Sequence, residues 1–385
     1  MLLSLLRKRP WPIALEVGSD SIKMLQFQRV GGQLHVAASA RWKFPGSIPL
    51  EDRDHRRELA PEAIREMLKN NNFRGKRVVS CLSSLDLQIK NVRLPQMPEE
   101  ELIKSIAWEA GERFNQEVTS DTLGWLHAGQ IRQGGEKKNE IILLAADQNA
   151  LDGHLKMIDQ AGLVPTAIDA EPIAVFRSFE RFLRRTADEE VVTVVLDMGL
   201  AATRVIVGKG RSIIFMKSIP IGGKKLNEAV ADQLNLGYQE AVELRERIMR
   251  SNECGETNSV ENPNSVNWTV HDAVRGAVDE LAREVALCLR YCSVTFRGLR
   301  PRKVFLTGGE AYDPAVMQLL SEQLNIDVKV AQPLQGMDVS AADLGSDRRG
   351  VMPEWATCAG LALRPMMEGK AALEAIDHEQ SRLSA

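Results

Sequence analysis

No stretch of this 385-residue chain is apolar over anything near the roughly 20 residues that a membrane-spanning helix needs. Cysteine is scarce and scattered, at 81, 254, 288, 292 and 358, with no paired C-x-x-C spacing. Cys288 and Cys292 stand one helical turn apart, a spacing read here as two small core residues and not as a bridge or a ligand pair. The six histidines are dispersed, so no zinc site is legible. Positive charge is not in excess either. With 49 Lys and Arg against 52 Asp and Glu the net charge is −3, and no basic stripe with interleaved aromatics is present, which argues against a nucleic-acid partner. A reducing, cytoplasmic setting is expected.

At 385 residues the chain exceeds one small core, so two or more domains are expected. Apolar content of 44% and charged content of 26% are those of an ordinary globular protein. The opening "MLLSLLRKRPWP" is too short in its apolar part for a secretory signal, and its basic residues lie on the wrong side. Two readings stand for it. It is a frayed tail, or Leu2, Leu3, Leu5 and Leu6 dip into a membrane surface while Arg7, Lys8 and Arg9 meet anionic headgroups.

The informative stretch is "IALEVGSDSIKMLQF", residues 13 to 27. It reads as a strand, a tight turn and a second strand. Gly, Ser and Asp are ordinary turn formers, and successive N–H groups in a small-residue turn also form an anion-binding concavity. A second stretch, "VVLDMGLAATRVIVG" at 194 to 208, repeats the pattern. Glu16 matches Asp197, Gly18 matches Gly199 and Lys23 matches Arg204, each pair 181 positions apart. The surroundings repeat as well: three strands, helical matter, then an apolar strand, "RVVSCL" in the first half and "KVFLTGGE" in the second. Two such units facing each other place both acid–turn motifs on opposite walls of one cleft. A phosphate chain there would meet N–H groups from both turns, and Glu16 and Asp197 would hold Mg²⁺ directly or through water.

These motifs resemble the two phosphate loops of the actin/hexokinase/DnaK superfamily. "VFLTGGEA" (304–311) is similar to its adenosine motif, "IDAEPIAVFRS" (168–178) to its first connecting helix, and "ATCAGLALRP" (356–365) to its second, with Gly360 permitting close packing. A narrower resemblance is carried by "RLPQMPEEELIKSIAWEAGERF" (93–114) and by "ELAREVALCLRYCS" before "KVFLTGG". Both are similar to the PilM family, actin-like proteins of type IV pilus assembly. The resemblance covers residues 1 to about 365.

That resemblance implies an α/β, actin-like (ribonuclease H-like) two-lobe fold with duplicated βββαβα subdomains and an inserted subdomain in lobe 1. Lobe 1 takes residues 1–92, 166–185 and 353–385, and the insert, a small sheet backed by two helices, takes 93–165. The lobe 2 core takes 190–222 and 300–352, with an outer subdomain over 223–299. ATP and Mg²⁺ are the implied cofactors. The metal residues are Glu16 and Asp197. Nucleotide contacts are assigned to Gly18, Ser19, Asp20, Ser21, Lys23, Gly199, Thr203, Gly223, Arg245, Gly308, Gly309 and Glu310. Arg245 is equally a surface i, i+4 charge pair. Glu171 orients an attacking water or caps its helix, and Lys224 is solvated or near phosphate.

The implied partner is the N-terminal cytoplasmic tail of a single-spanning, PilN-like inner-membrane protein, with self-association as a further option. The chain would then sit at the cytoplasmic face of the inner membrane and be at most a slow ATPase. One departure bears on this: the family usually has Asp at the position of Glu16. One extra methylene displaces the carboxylate by about 1.5 Å, and Mg²⁺ tolerates little geometric error. A nucleotide-free scaffold is therefore the main rival, followed by a cell-division actin homologue and a small-molecule kinase. The polar loop at 251–267 and the tail beyond Pro365 are expected to be disordered and frayed.

Overall fold

The computed structural model describes residues 10–115, 117–251, 265–301, 303–340, 342–344 and 351–366. The expectations for the leucine-rich opening and the C-terminal tail, and nearly all of that for the polar loop, lie outside these residues.

Two five-stranded sheets have the same plan. The first contains β1 (Ile13–Val17), β2 (Ser21–Val30), β3 (Gln33–Lys43), β4 (Arg77–Leu82) and β8 (Val164–Ala170), in the order β3-β2-β1-β4-β8. The second contains β9 (Val192–Met198), β10 (Thr203–Lys209), β11 (Ser212–Ile219), β12 (Lys303–Thr307) and β13 (Asp327–Val330), in the order β11-β10-β9-β12-β13. In each, the first strand pairs antiparallel with the second and parallel with the fourth. This is the duplicated arrangement expected from the repeat, and it has the actin-like plan that the resemblance implies.

The strands' alternation explains the layers. Ile13 and Leu15 face helices α1 (Arg53–Asn70) and α3 (Gln148–Gln160), while Ala14 between them faces the other way. In the second lobe, Val194 and Leu196 face α5 (Gly223–Leu234), α7 (Val266–Thr295) and α8 (Pro314–Leu324); α6 (Tyr238–Ser251) joins that core through Ala241. The inward faces of the two sheets are filled by α4 (Glu171–Glu180) and α9 (356–366). These two helices pack backbone to backbone. A Cβ built on Gly360 would lie 1.7 Å from the Ala174 carbonyl oxygen, so only glycine permits the approach.

The insert differs from expectation in extent and contacts. Its sheet, β5 (Leu87–Pro95), β6 (Leu123–Gln133) and β7 (Glu136–Ala146), has the order β5-β7-β6 and begins before residue 93. Helix α2 (Glu99–Arg113) covers one face through Leu102, Ile106 and Ala110. The second expected helix, α3, is not part of the insert: Met157 and Ile158 pack beside α1 on the first sheet. The insert's other face, with Ile142 and Leu144, shares a core with Phe176 of α4 and with Ile206, Ile213 and Met216 of the second sheet. The insert leaves the first lobe and rests on the second.

Gly360→Ala is expected to cost about 3 kcal/mol or more through overpacking, read from urea unfolding midpoints. Gly111→Ala is the control: its site on α2 is open, so helix propensity makes it neutral or stabilising. Equal midpoints for Gly360→Ala and the parent would contradict the packing of α4 on α9.

Candidate functional site

A cleft of about 760 Å³ opens between the two sheets. Its floor is set by register. Glu16 lies directly across from Lys23, and Asp197 directly across from Arg204. The seven-residue spacing of acid and base is therefore the spacing of cross-strand partners around a tight turn. Lys23 Nζ donates to Glu16 Oε1 at 2.6 Å, with both residues buried. Arg204 Nη1 lies 3.3 Å from Asp197 Oδ2. It reaches further: Nη2 donates to Glu171 Oε1 at 2.5 Å, and Nε to Glu171 Oε2 and to Ser84 Oγ, each at 3.0 Å.

Glu171 is thus neither a free base nor a cap for its own helix. It is the first residue of α4, its oxygens are taken by Arg204, and Oε2 also accepts the Ser84 N–H at 3.0 Å. Burial pushes the Glu16 and Asp197 carboxyls above their ordinary range, against the opposing pull of Lys23 and Arg204. Burial disfavours the Arg204 charge, and Glu171 with Asp197 more than offsets that, so its pKa is raised.

The turns themselves are closed alike. Gly18 N–H donates to Ser21 O, and Gly199 N–H to Ala202 O, each at 3.0 Å. Among the described residues the N–H groups of Ser19, Asp20 and Leu200 have no partner, and all three residues line the cleft. Such unpaired N–H groups suit an anion. Glu16 Oε2 is also buried without a hydrogen-bond partner. Among the described residues no group of three or more His, Cys, Asp or Glu is placed to hold a metal ion. A caged metal is therefore unsuited to the site. Mg²⁺ brought in by phosphates, using one or two carboxylates and several waters, fits the donor set of Glu16 and Asp197.

Of the residues assigned from sequence, Gly18, Ser19, Asp20, Ser21, Lys23, Gly199, Arg245, Gly308, Gly309, Glu310, Glu16, Asp197 and Glu171 line the cleft. Thr203 and Gly223 do not. Thr203 is fully buried and its hydroxyl donates to Ile221 O at 2.6 Å; Gly223 N–H is spent on Gly199 O at 3.0 Å. Arg245 is not a surface pair. It is buried and bonded to Asn227 Oδ1 at 2.7 Å, Glu310 Oε2 at 2.7 Å and Asp313 Oδ2 at 2.6 Å. Gly308 adopts φ +89°, and a Cβ there would meet Met198 O at 2.3 Å. That glycine lets the 307–310 turn press against the end of β9. Lys224 pairs with Glu51 and Lys43 with Glu246, so both clasp the cleft mouth from opposite lobes. The residue missed from sequence is Arg204, which the internal repeat had matched to Lys23 without giving it a part in the site.

Arg204→Met is expected to cost about 3–5 kcal/mol, because it leaves Glu171 and Asp197 buried without their cation. Adding Glu171→Gln removes one of those charges and should restore part of the loss. Chemical denaturation of the three proteins checks this; a double variant no more stable than Arg204→Met would overturn the coupling.

A family model described as type IV pilus assembly protein PilM matches residues 14–366. The cell division protein FtsA of Bacillus subtilis (strain 168) is 24% identical over 202 residues, covering 50% of this chain and 44% of that one. The match thus spans less than half of that relative's length. Among solved structures, a PilM-PilN type IV pilus biogenesis complex superposes with a TM-score of 0.73 and 25% identity, covering 92% of this chain and 98% of that chain. The ethanolamine utilization protein EutJ from Carboxydothermus hydrogenoformans is similar in fold, with a TM-score of 0.52 and 14% identity over 92% of this chain and 89% of that one. Among the described residues no helix is long and apolar enough to cross a membrane.

Proposed function

The chain belongs to the family of the type IV pilus assembly protein PilM, and on that premise we propose that it is an assembly factor that holds Mg-ATP between its lobes and docks the cytoplasmic tail of a membrane partner. The observation that carries the nucleotide reading is the pair of matched turns with unpaired N–H groups at Ser19, Asp20 and Leu200. The cleft is lined by nine carboxylates against eight Lys and Arg, so it has no net positive field for a polyphosphate. Binding must therefore depend on the divalent ion. Mg²⁺ supplies neutralisation of phosphate charge; Glu16 Oε2 and Asp197 are the groups that would hold it. Both oxygens of Glu171 are engaged by Arg204, which disfavours proton abstraction from water and supports at most slow hydrolysis.

A nucleotide-free scaffold is the second reading. It is favoured by the fact that Lys23, Arg204 and Arg245 are already paired with buried carboxylates. Calorimetry with Mg-ATP decides between the two. Micromolar affinity is expected, lost on omitting Mg²⁺ and weakened more by Asp197→Ala than by Glu16→Ala, since the shorter side chain keeps the usual ligand geometry. No heat and no thermal shift at millimolar ATP would leave the scaffold.

The partner reading rests on the PilM-PilN complex as a similar structure. A tail needs an extended groove with pockets and backbone pairing, and the seam where the insert leaves the first lobe supplies candidates. At that seam Arg53 Nη1 donates to Asp86 Oδ1 at 2.7 Å, and Asp147 N–H to Asp86 O at 3.2 Å. Removing 93–165 as a block is not a sound test, because it takes α3 out of the first lobe's core. Hydrogen exchange with a synthetic tail of the neighbouring single-spanning protein is preferable. Protection is expected at 83–98 and 123–147; protection confined to residues 190–340 would sink the assignment.

A further inference from the structure

The internal repeat breaks at the third strand. In the first lobe Glu16, Lys23 and Arg41 are cross-strand neighbours on β1, β2 and β3. The corresponding row of the second lobe is Asp197, Arg204 and Ser218. Arg41 lines the cleft and Ser218 does not, so one extra cation stands on the first wall. The duplicated fold does not require it, since the second sheet is built without it.

Its bonding also separates Arg41 from the other cations of the cleft. Lys23, Arg204 and Arg245 are held by carboxylates that are almost wholly buried. Arg56 is spent on carbonyl oxygens, with Nη1 donating to Ser19 O at 2.6 Å and Nε to Pro49 O at 3.2 Å. Lys43 and Lys224 clasp the mouth, and Arg250 pairs with Glu246 one turn before it on α6. Among the described residues the ion-pair partner of Arg41 is Asp20, whose Oδ2 accepts from Nη2 at 3.0 Å. Lys43 Nζ stands 3.9 Å from the other Asp20 oxygen. The Arg41 and Asp20 side chains are 35% and 34% exposed, and an ion pair so open to water is weak. Asp20 belongs to the turn whose own N–H and that of Ser19 are unpaired. Its backbone therefore suits a phosphate, while its carboxylate repels one.

We propose that Arg41 binds the phosphate chain of the nucleotide and that the Asp20 carboxylate competes with that chain for its guanidinium. The inference rests on the nucleotide reading and adds a side-chain cation to the unpaired N–H groups of the first turn. A phosphate offers the guanidinium fork the same planar, two-oxygen acceptor as a carboxylate, with more charge. The strand is fixed by its pairing with β2, so only the side chain has to move. The two halves of one ion pair then act on the same ligand in opposite directions: Arg41 favours it and the Asp20 carboxylate opposes it. A pair that merely braced the turn would show no such difference in sign.

Calorimetric titration of Mg-ATP into the full chain and into three variants tests this. Arg41→Gln should weaken affinity at least about tenfold, because a charge-assisted contact is lost. Asp20→Asn keeps a turn-forming residue and its N–H, and should tighten affinity about threefold or more by removing a like charge. In Arg41→Gln/Asp20→Asn that gain should fall below about twofold, which is the signature of coupling through one guanidinium. Urea unfolding midpoints of all three should stay near the parent's, since the pair is solvated. An Asp20→Asn protein that binds no more tightly than the parent overturns the proposal: the pair then braces the turn, or the carboxylate holds the metal. A gain that persists in full in the double variant also overturns it, since charge repulsion alone then suffices. Arg41→Gln binding as tightly as the parent overturns it while leaving the nucleotide reading intact. A parent that takes up no Mg-ATP at millimolar concentration overturns both.

Discussion

The structure depends on holding carboxylates that are almost wholly buried at the base of the cleft. An unpaired buried carboxylate costs several kcal/mol, and the ends of both central strands carry one. The solution is local. A tight turn between antiparallel strands puts residue i directly across from residue i+7, so Lys23 meets Glu16 and Arg204 meets Asp197. Slipping either hairpin by one residue would send the cation to the opposite face. The charge pairs therefore lock register as well as solvating the acids, and they do so at the point where the two lobes face each other.

The two pairs are not equivalent. Lys23 is a point charge satisfied by one carboxylate. Arg204 uses the breadth of its guanidinium to join three elements: Asp197 beside it on β9, Glu171 at the start of α4, and Ser84 just beyond β4 of the first lobe. Lysine at 204 would make one of these contacts at a time. The asymmetry turns one half of the repeat into a cross-lobe tie while the other half leaves Glu16 Oε2 without a partner. The two acids at the base of the cleft thus differ in setting: Glu16 keeps one oxygen unpartnered, and Asp197 lies beside Arg204 at 3.3 Å.

Much of this was legible because it is local. Glycines, acids and bases at fixed offsets report a turn and its register, and a repeat of that pattern reports a second lobe. What escaped the sequence is set by packing between distant segments. The apolar stripe of α3 shows that the helix has a buried side, but not which sheet buries it; Met157 and Ile158 could equally have backed the insert. Arg245 sits in a helix rich in charge, where an i, i+4 pair is the ordinary outcome. Its burial follows from Glu310 and Asp313, 65 and 68 residues away. Thr203 and Gly223 lie next to cleft residues in sequence, and strand alternation and the close turn of the backbone direct them elsewhere.

The position of the insert follows from the same balance of charge and burial. Its chain leaves and returns through the first lobe, since Leu87 and Ala146 are cross-strand partners at its root. Its sheet is nevertheless buried on Phe176, Ile206 and Met216. A buried polar cluster fixes the same contact: Glu140, 1% exposed, accepts from Arg93 Nε at 2.9 Å and from the Tyr291 hydroxyl of α7, while Arg93 Nη2 reaches Thr295 Oγ1 at 3.2 Å. A carboxylate this deeply buried cannot lose one partner cheaply. Any change in the angle between the lobes must therefore either carry the insert with the second lobe and bend the connections at Asp86 and Asp147, or break the Glu140 cluster. The first is the cheaper path, because those connections are surface loop with exposed side-chain partners and the second is a packed core. The seam against the first lobe is then the surface whose shape changes most when the cleft opens or closes.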